Sequence, residues 1–223
     1  MTEDVKGAKR RYTAPQRVAK AAATRRAVLD AARELIVERG YTATTVADIA
    51  ARAGVSVDTV YTAVGRKPVM LRELVETAIS GADHAIPARQ RDYVQTIQAA
   101  TSARDKLTIY AGAVVKIHQR LAPVFLALRD AAVHDPACAA LWNEIGDRRA
   151  RNMREFAADL RVTGELRPDL SDDEVADIVW SMNAAEYWVL LVHQRGWSAE
   201  RFGRWLADAW IRSLLTVAHS PSR

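Results

Sequence analysis

Between residues 45 and 67 the chain holds hydroxyls, carboxylates and small residues at spacings that could present polar groups to a nucleic acid. Thr45 stands three residues before Asp48. In that arrangement a hydroxyl and a carboxylate satisfy the free N–H groups at a helix start. It predicts a short helix over 46–53, with Ala47, Ile49, Ala50 and Ala53 as a narrow apolar side. Gly54 comes next, where the chain must turn sharply, a position that favours a residue able to adopt a positive φ. Val55 plugs the corner, and Ser56 caps a second helix over 57–63. Val60 and Val64 face inward at i and i+4, which leaves Val57, Asp58, Thr59, Tyr61 and Thr62 outward. Two helices brought close by alanines around a glycine turn make a helix-turn-helix. Its second helix enters the major groove while the first crosses the phosphate backbone. Val57, Asp58 and Thr59 sit where such a helix first meets base edges. Asp58 can accept from a cytosine amino group and Val57 can touch a thymine methyl. Asp58 serves equally as a stabiliser of its own helix start. Thr45 and Ser56 cap helix starts that point at phosphates.

The elements that must position these residues are set by periodicity. A helix over 16–39 places Val28, Ala32, Leu35 and Ile36 on one face and stops at Gly40. A fourth helix over 67–80 turns Met70, Leu71, Leu74 and Ala78 inward. Residues 82–91 read as a linker. Helices are then expected over 92–100 and 103–120, a break at Pro123, and helices over 124–133 and 136–162. A loop over 164–170 precedes one long helix from Ser171 to Arg195, and Ser198 caps a last helix reaching 218. The expected fold is all-α, a three-helix helix-turn-helix domain plus a larger C-terminal helical domain for ligand binding and dimerisation. Its divisions are a disordered basic arm (1–15), the helix-turn-helix domain (16–66), a connecting helix (67–81) and the helical body (82–223).

Charge supports that division. Residues 1–80 hold 14 Lys and Arg against 9 Asp and Glu, whereas residues 81–223 hold 18 of each. The whole positive excess lies in the half with the helix-turn-helix, as phosphate binding requires. It is densest in Lys6, Lys9, Arg10, Arg11, Arg17, Lys20, Arg25 and Arg26, opposed over the same stretch only by Glu3 and Asp4. Such an arm is either a solvated tail or a contact to DNA backbone and minor groove.

The segment 25–74 resembles the TetR family of bacterial transcriptional regulators. The residues that carry the resemblance are Arg39-Gly40-Tyr41, Thr45-Val46, Ile49-Ala50, Ala53-Gly54-Val55-Ser56, Val60-Tyr61 and Lys67. The chain departs from the family pattern at Val64 (usually Phe), at Pro68 (usually acidic), and at Thr62 and Ala63 (often aromatic or basic). The run Gly164 to Ser171 and the step Arg195-Gly196-Trp197-Ser198 are similar to the ligand-binding and dimerisation region of many actinobacterial members. The resemblance implies that Tyr61 and Lys67 contact the DNA backbone and that repression is relieved by a ligand.

The body holds the candidate effector site. Tyr110, His118, Phe125, Trp142, Met153, Phe156, Trp180 and Tyr187 are the aromatic and apolar candidates for an interhelical cavity. Glu186 interrupts an apolar run, with Asn183 three residues before it, and a buried carboxylate needs a partner. The pair would bind the polar end of an effector or meet across a dimer. Val179 and Met182, with Phe202, Trp205, Leu206, Ala209 and Trp210, give more apolar surface than one core face needs, so a four-helix dimer bundle is expected. The expected partners are double-stranded operator DNA, a second copy of the chain, and an unknown small-molecule effector that is partly apolar or aromatic.

Enzymatic chemistry finds no footing. There is no Gly-rich phosphate loop, no paired cysteine and no H-E-x-x-H, so no catalytic residue, metal or cofactor is expected. No window approaches 18 uninterrupted apolar residues and the N-terminus lacks an apolar core, so neither a membrane span nor a secretory signal is expected. The lone Cys138 fits a reducing cytoplasm. Two alternatives stay open: a ligand-binding protein with a vestigial head, and an activator. Deleting residues 1–15 is expected to weaken DNA binding and flatten its salt dependence, read from affinities across a salt series; an unchanged slope removes the arm from the mechanism.

Overall fold

The computed structural model describes residues 14–216. The arm's Lys6, Lys9, Arg10 and Arg11 lie outside the described residues. The head is built from α1 (Ala14–Arg39), α2 (Val46–Ala53) and α3 (Val57–Ala63), with α4 (Lys67–Ser80) leading out of it. Val28, Ala32, Leu35 and Ile36 of α1 are buried against Ile49 and Ala50 of α2, Val60 of α3 and Met70 and Leu71 of α4. Ala47 is exposed, so the apolar side of α2 is narrower than its alanines suggest. Both caps form. Thr45 and Asp48 close a reciprocal capping box, and Ser56 accepts from the Thr59 N–H at 3.1 Å. Gly54 ends α2 at φ 67°, where any Cβ would be strained.

The body comprises α5 (Asp92–Ala99), α6 (Ala103–Ala132), α7 (Pro136–Arg161), α8 (Asp172–Met182), α9 (Ala185–Trp188) and α10 (Ala199–Leu214). α6 is central and packs against α4, α5, α7, α9 and α10. The chain is all-α. Among the described residues the only extended pairing is a single bridge between Leu166 and Leu215, which straps the 164–170 loop to the end of α10.

Three expectations need correction. Pro123 does not break α6, which runs through it for 30 residues. The lost hydrogen bond is outweighed because Leu121, Ala122, Val124, Phe125 and Leu128 are all buried and hold both halves in line. The long helix from Ser171 does break, at Asn183 and Ala184, and α9 then widens into a π-helical turn over Val189–Gln194. In a continuous helix the Asn183 carbonyl would accept from the Tyr187 N–H. That N–H instead meets Ala184 at 3.2 Å, which frees the Asn183 carbonyl for another partner. Finally, Val179, Phe202, Leu206 and Trp210 are buried inside the single chain. They form its core and cannot also face a second copy. Met182, Trp205 and Ala209 are only partly covered.

Trp210 is fully buried and stacks on Tyr110 with centroids 5.4 Å apart. Trp210→Ala is therefore expected to cost about 3–5 kcal/mol of folding stability, read as a lower denaturant midpoint.

Candidate functional site

Two regions hold the candidate residues. On α3, Val57, Asp58, Tyr61 and Thr62 are exposed and Thr59 is half-exposed, so the helix presents one continuous outer face. Several hydroxyls are already engaged within it. Ser56 Oγ lies 2.8 Å from Thr59 Oγ1, and Thr62 Oγ1 donates to the Asp58 carbonyl at 2.8 Å. Tyr61 is 48% exposed and its hydroxyl has no hydrogen-bond partner among the described residues. Lys67 is turned inward. Its Nζ donates to the Tyr41 carbonyl at 2.7 Å and sits 4.2 Å from the Tyr41 ring centroid. Burial lowers its pKa, against the pull of Asp135. Arg66, exposed at the start of α4 beside this face, was not anticipated. As a single charge beside Lys67 it carried no distinctive pattern. Of the basic N-terminal cluster, Arg25 pairs with Glu73 at 2.7 Å and Arg26 with Asp83 at 2.9 Å, so both brace α1 against the α4 region.

The second region is a cavity of about 470 Å³ lined by residues of α4, α5, α6 and α7, by the 88–91 segment and by Asn183. Tyr110, His118, Met153, Phe156 and Asn183 from the expected set all line it. Phe125, Trp142, Trp180, Glu186 and Tyr187 do not. Phe125 packs on Trp142 with centroids 4.6 Å apart, in a separate part of the core. The break at Asn183 changes the helical register from Ala185 onward. Tyr187 meets Trp205, and Glu186 is half-exposed, 3.8 Å from Arg129 rather than buried beside Asn183. Trp180 lies under the Arg149 guanidinium, 5.0 Å from the ring centroid.

Asn183 organises the cavity's polar wall. Its Nδ2 donates to the Tyr110 hydroxyl at 2.8 Å, its Oδ1 accepts from Arg149, and its carbonyl accepts from His118 Nε2 at 2.9 Å. Because that carbonyl can only accept, Nε2 carries the ring proton. His118 Nδ1 is then a bare acceptor, buried without a partner among the described residues. Burial pulls the imidazole down to about 4, and the Arg149 charge adds to the effect against the carbonyl hydrogen bond. Burial likewise pushes the Tyr110 phenol up. The cavity arginines Arg89, Arg91, Arg148 and Arg149 were not anticipated. Arg148 and Arg149 sit on α7 in a polar run, Asp147-Arg148-Arg149-Ala150-Arg151, that has the pattern of a solvated face, and Arg89 and Arg91 sit in the segment read as a linker.

Head and cavity are joined by ion pairs. Arg72 of α4 holds Glu144 of α7 through two bonds of 2.6 Å, and one turn further on Glu76 takes Arg148 at 2.6 Å. Arg148 also lines the cavity. Tyr41, at the end of α1, donates to Asp135 at 3.3 Å, and Asp135 caps the start of α7 through the N–H groups of Ala137 and Cys138.

The chain thus joins a helix-turn-helix head to an all-helical body with a cavity between its helices. Residues 28–74 match the family described as bacterial regulatory proteins, tetR family. The chain carries the DNA-binding head of that family on the fold of its solved regulators. No curated relative matches it in sequence. A protein from Saccharomonospora viridis described as a transcriptional regulator, solved in complex with choline, is 22% identical with a TM-score of 0.64, over 86% of this chain and 98% of that one. PfmR, a TetR family transcriptional regulator from Thermus thermophilus, is 21% identical with a TM-score of 0.61, over 83% and 97%. NalD, the secondary repressor of the MexAB-OprM multidrug efflux pump in Pseudomonas aeruginosa, is 17% identical with a TM-score of 0.64, over 89% and 99%. At these identities the likeness establishes the fold. These neighbours are regulators and not enzymes. Among the described residues no three His, Cys, Asp or Glu side chains could hold a metal ion, and no single helix is long and apolar enough to cross a membrane.

The buried His118 makes stability depend on pH. Above its ordinary value of 6.5 the ring is neutral whether the chain is folded or unfolded. Below it only the unfolded chain takes the proton, so stability falls until the native ring titrates near 4. The expected loss across that window is about 3 kcal/mol, absent in His118→Gln, measured by urea unfolding at a series of pH values.

Proposed function

We propose that the protein is a homodimeric, sequence-specific repressor of a palindromic operator, released when a small molecule enters the body cavity. In this reading residues 16–66 read DNA, residues 67–81 connect, residues 82–223 bind effector and partner, and the protein works in the cytoplasm. Tyr61 reaches the phosphate backbone, Val57, Asp58 and Thr59 reach base edges, and Thr45 and Ser56 aim their helix starts at phosphates. The observation that carries the proposal is the pair of ion-pair rungs between α4 and α7. One of them uses Arg148 of the cavity wall, and α4 comes directly after the recognition helix α3. An effector that binds better when α7 has shifted would draw α4 with it and reduce the population in which both heads fit the operator.

Two neighbours favour this reading by their own descriptions, one as a repressor and one as a complex with choline. Dimerisation would use the partly covered outer residues of α8 to α10, with Trp180, Tyr187 and Leu190 as the exposed large apolar groups of that segment. Two copies about a two-fold axis would then face an inverted repeat.

The test is footprinting of the upstream intergenic DNA by the purified protein at two salt concentrations with competitor DNA. Salt-sensitive protection of an inverted repeat is the expected result. Weak binding without sequence preference would reduce the protein to a ligand-binding body with a vestigial head. Tyr61→Phe is expected to lower affinity about tenfold on every sequence alike. A changed base preference would place Tyr61 on the bases instead.

A further inference from the structure

Most charges around the cavity are balanced. Arg148 pairs with Glu76, Asp159 with the buried Lys106 at 2.8 Å, and Arg89 with Glu155 at 3.5 Å. Arg91 and Arg149 are the exceptions. Among the described residues neither has a carboxylate within ion-pair distance. Arg149 Nη2 donates to two neutral acceptors, the Trp180 carbonyl at 3.0 Å and the Asn183 side chain. Its Nε and Nη1 have no hydrogen-bond partner among the described residues. Arg91 likewise meets neutral oxygens, the Ile86 carbonyl at 3.0 Å and the Tyr93 hydroxyl at 3.5 Å. Tyr93 stacks on Tyr110 with centroids 6.3 Å apart, and the Tyr110 hydroxyl shares Asn183 with Arg149, so both arginines lie on the Tyr110 side of the cavity. Glu186 also acts on Arg149, but it lies outside the cavity lining and nearer to Arg129.

Both arginines are partly covered and keep donors free toward the cavity, and the planar fork of a guanidinium matches a carboxylate. The apolar part of the wall includes Ile97, Val114, Ile145 and Phe156, and its remaining polar members are either neutral, as Gln98 and Asn152 are, or in the ion pairs just named. We infer that the cavity takes a small organic acid, its carboxylate held by Arg149 and Arg91 beside Tyr110 and its apolar or aromatic body against those four side chains. This rests on the reading of the cavity as the effector site. A ligand with a fixed positive charge would face two unpaired arginines and a histidine that is neutral at pH 7.

The experiment uses the full chain and three probe acids, 3-phenylpropanoate, indole-3-acetate and decanoate, each with its primary amide and primary amine. Calorimetry measures their binding, and the uncharged dye Nile red reports independently whether the cavity admits an apolar molecule. At least one acid is expected to bind about tenfold or more tightly than its amide, with the amine weakest. Arg149→Met is expected to reduce that acid to the level of its amide, and Arg91→Met serves the same comparison if the first variant fails to fold. Amides or amines that bind as well as the acids would overturn the inference. Nile red uptake with no acid able to displace it would also overturn the inference but leave the effector cavity standing. No uptake of the dye and no binding by any probe would remove both.

Discussion

An apolar interior tolerates polar groups only where each finds a partner, and in this body that constraint converges on Asn183. One residue serves Tyr110, Arg149 and His118, on α6 and α7, through its amide and its backbone carbonyl. The carbonyl is available because the helix stops there. Continuity of α8 into α9 is surrendered, and His118 Nε2 gains a partner beside those that the Asn183 amide gives to Tyr110 and Arg149. The break also sets the packing beyond it. Tyr187 packs on Trp205, Trp188 turns inward, and the π-helical turn carries the chain to Gly196. A regular helix would have sealed the space that is now a cavity wall.

The head depends on a second meeting point. Tyr41 closes α1, receives the Lys67 ammonium at the start of α4, and reaches the cap of α7 through Asp135. Three helix ends are thus fixed by one residue. The recognition helix itself buries little, Val60 alone being fully covered, so its orientation comes from these neighbours and from the caps at Thr45 and Ser56.

Much of the head was legible in the sequence because its signals are local. A hydroxyl three residues before a carboxylate, a glycine at the turn and a serine after it specify helix ends without reference to distant residues. The bounds expected for α2, α3 and α4 agree with those observed. The body was less legible because its decisive events are long-range. Pro123 is a break by local rules, yet α6 continues because its flanks are buried on several helices at once. Asn183 sits within an apolar run, and only a histidine 65 residues away makes it a stop. The aromatic residues announced a cavity without saying which of them would line it. Phe156 and Phe125 have equal claims by composition and are separated by packing. The unpaired arginines were invisible for the same reason, since a charge on α7 or in the segment before α5 reads as solvent-facing until the neighbouring helices are in place. Phe202, Leu206 and Trp210 looked surplus because the demands of α6 on that face could not be counted in advance.

Arg148 and Arg149 are consecutive on α7, and consecutive side chains on a helix point about 100° apart. One is gripped by Glu76 of α4, and the other by Asn183 at the helix break. The helix is therefore clamped on two sides by a single peptide unit. A roll of α7 about its own axis cannot move one clamp and spare the other. In the proposed release the segment would work as a crankshaft, turning a displacement on one side into a stroke on the other.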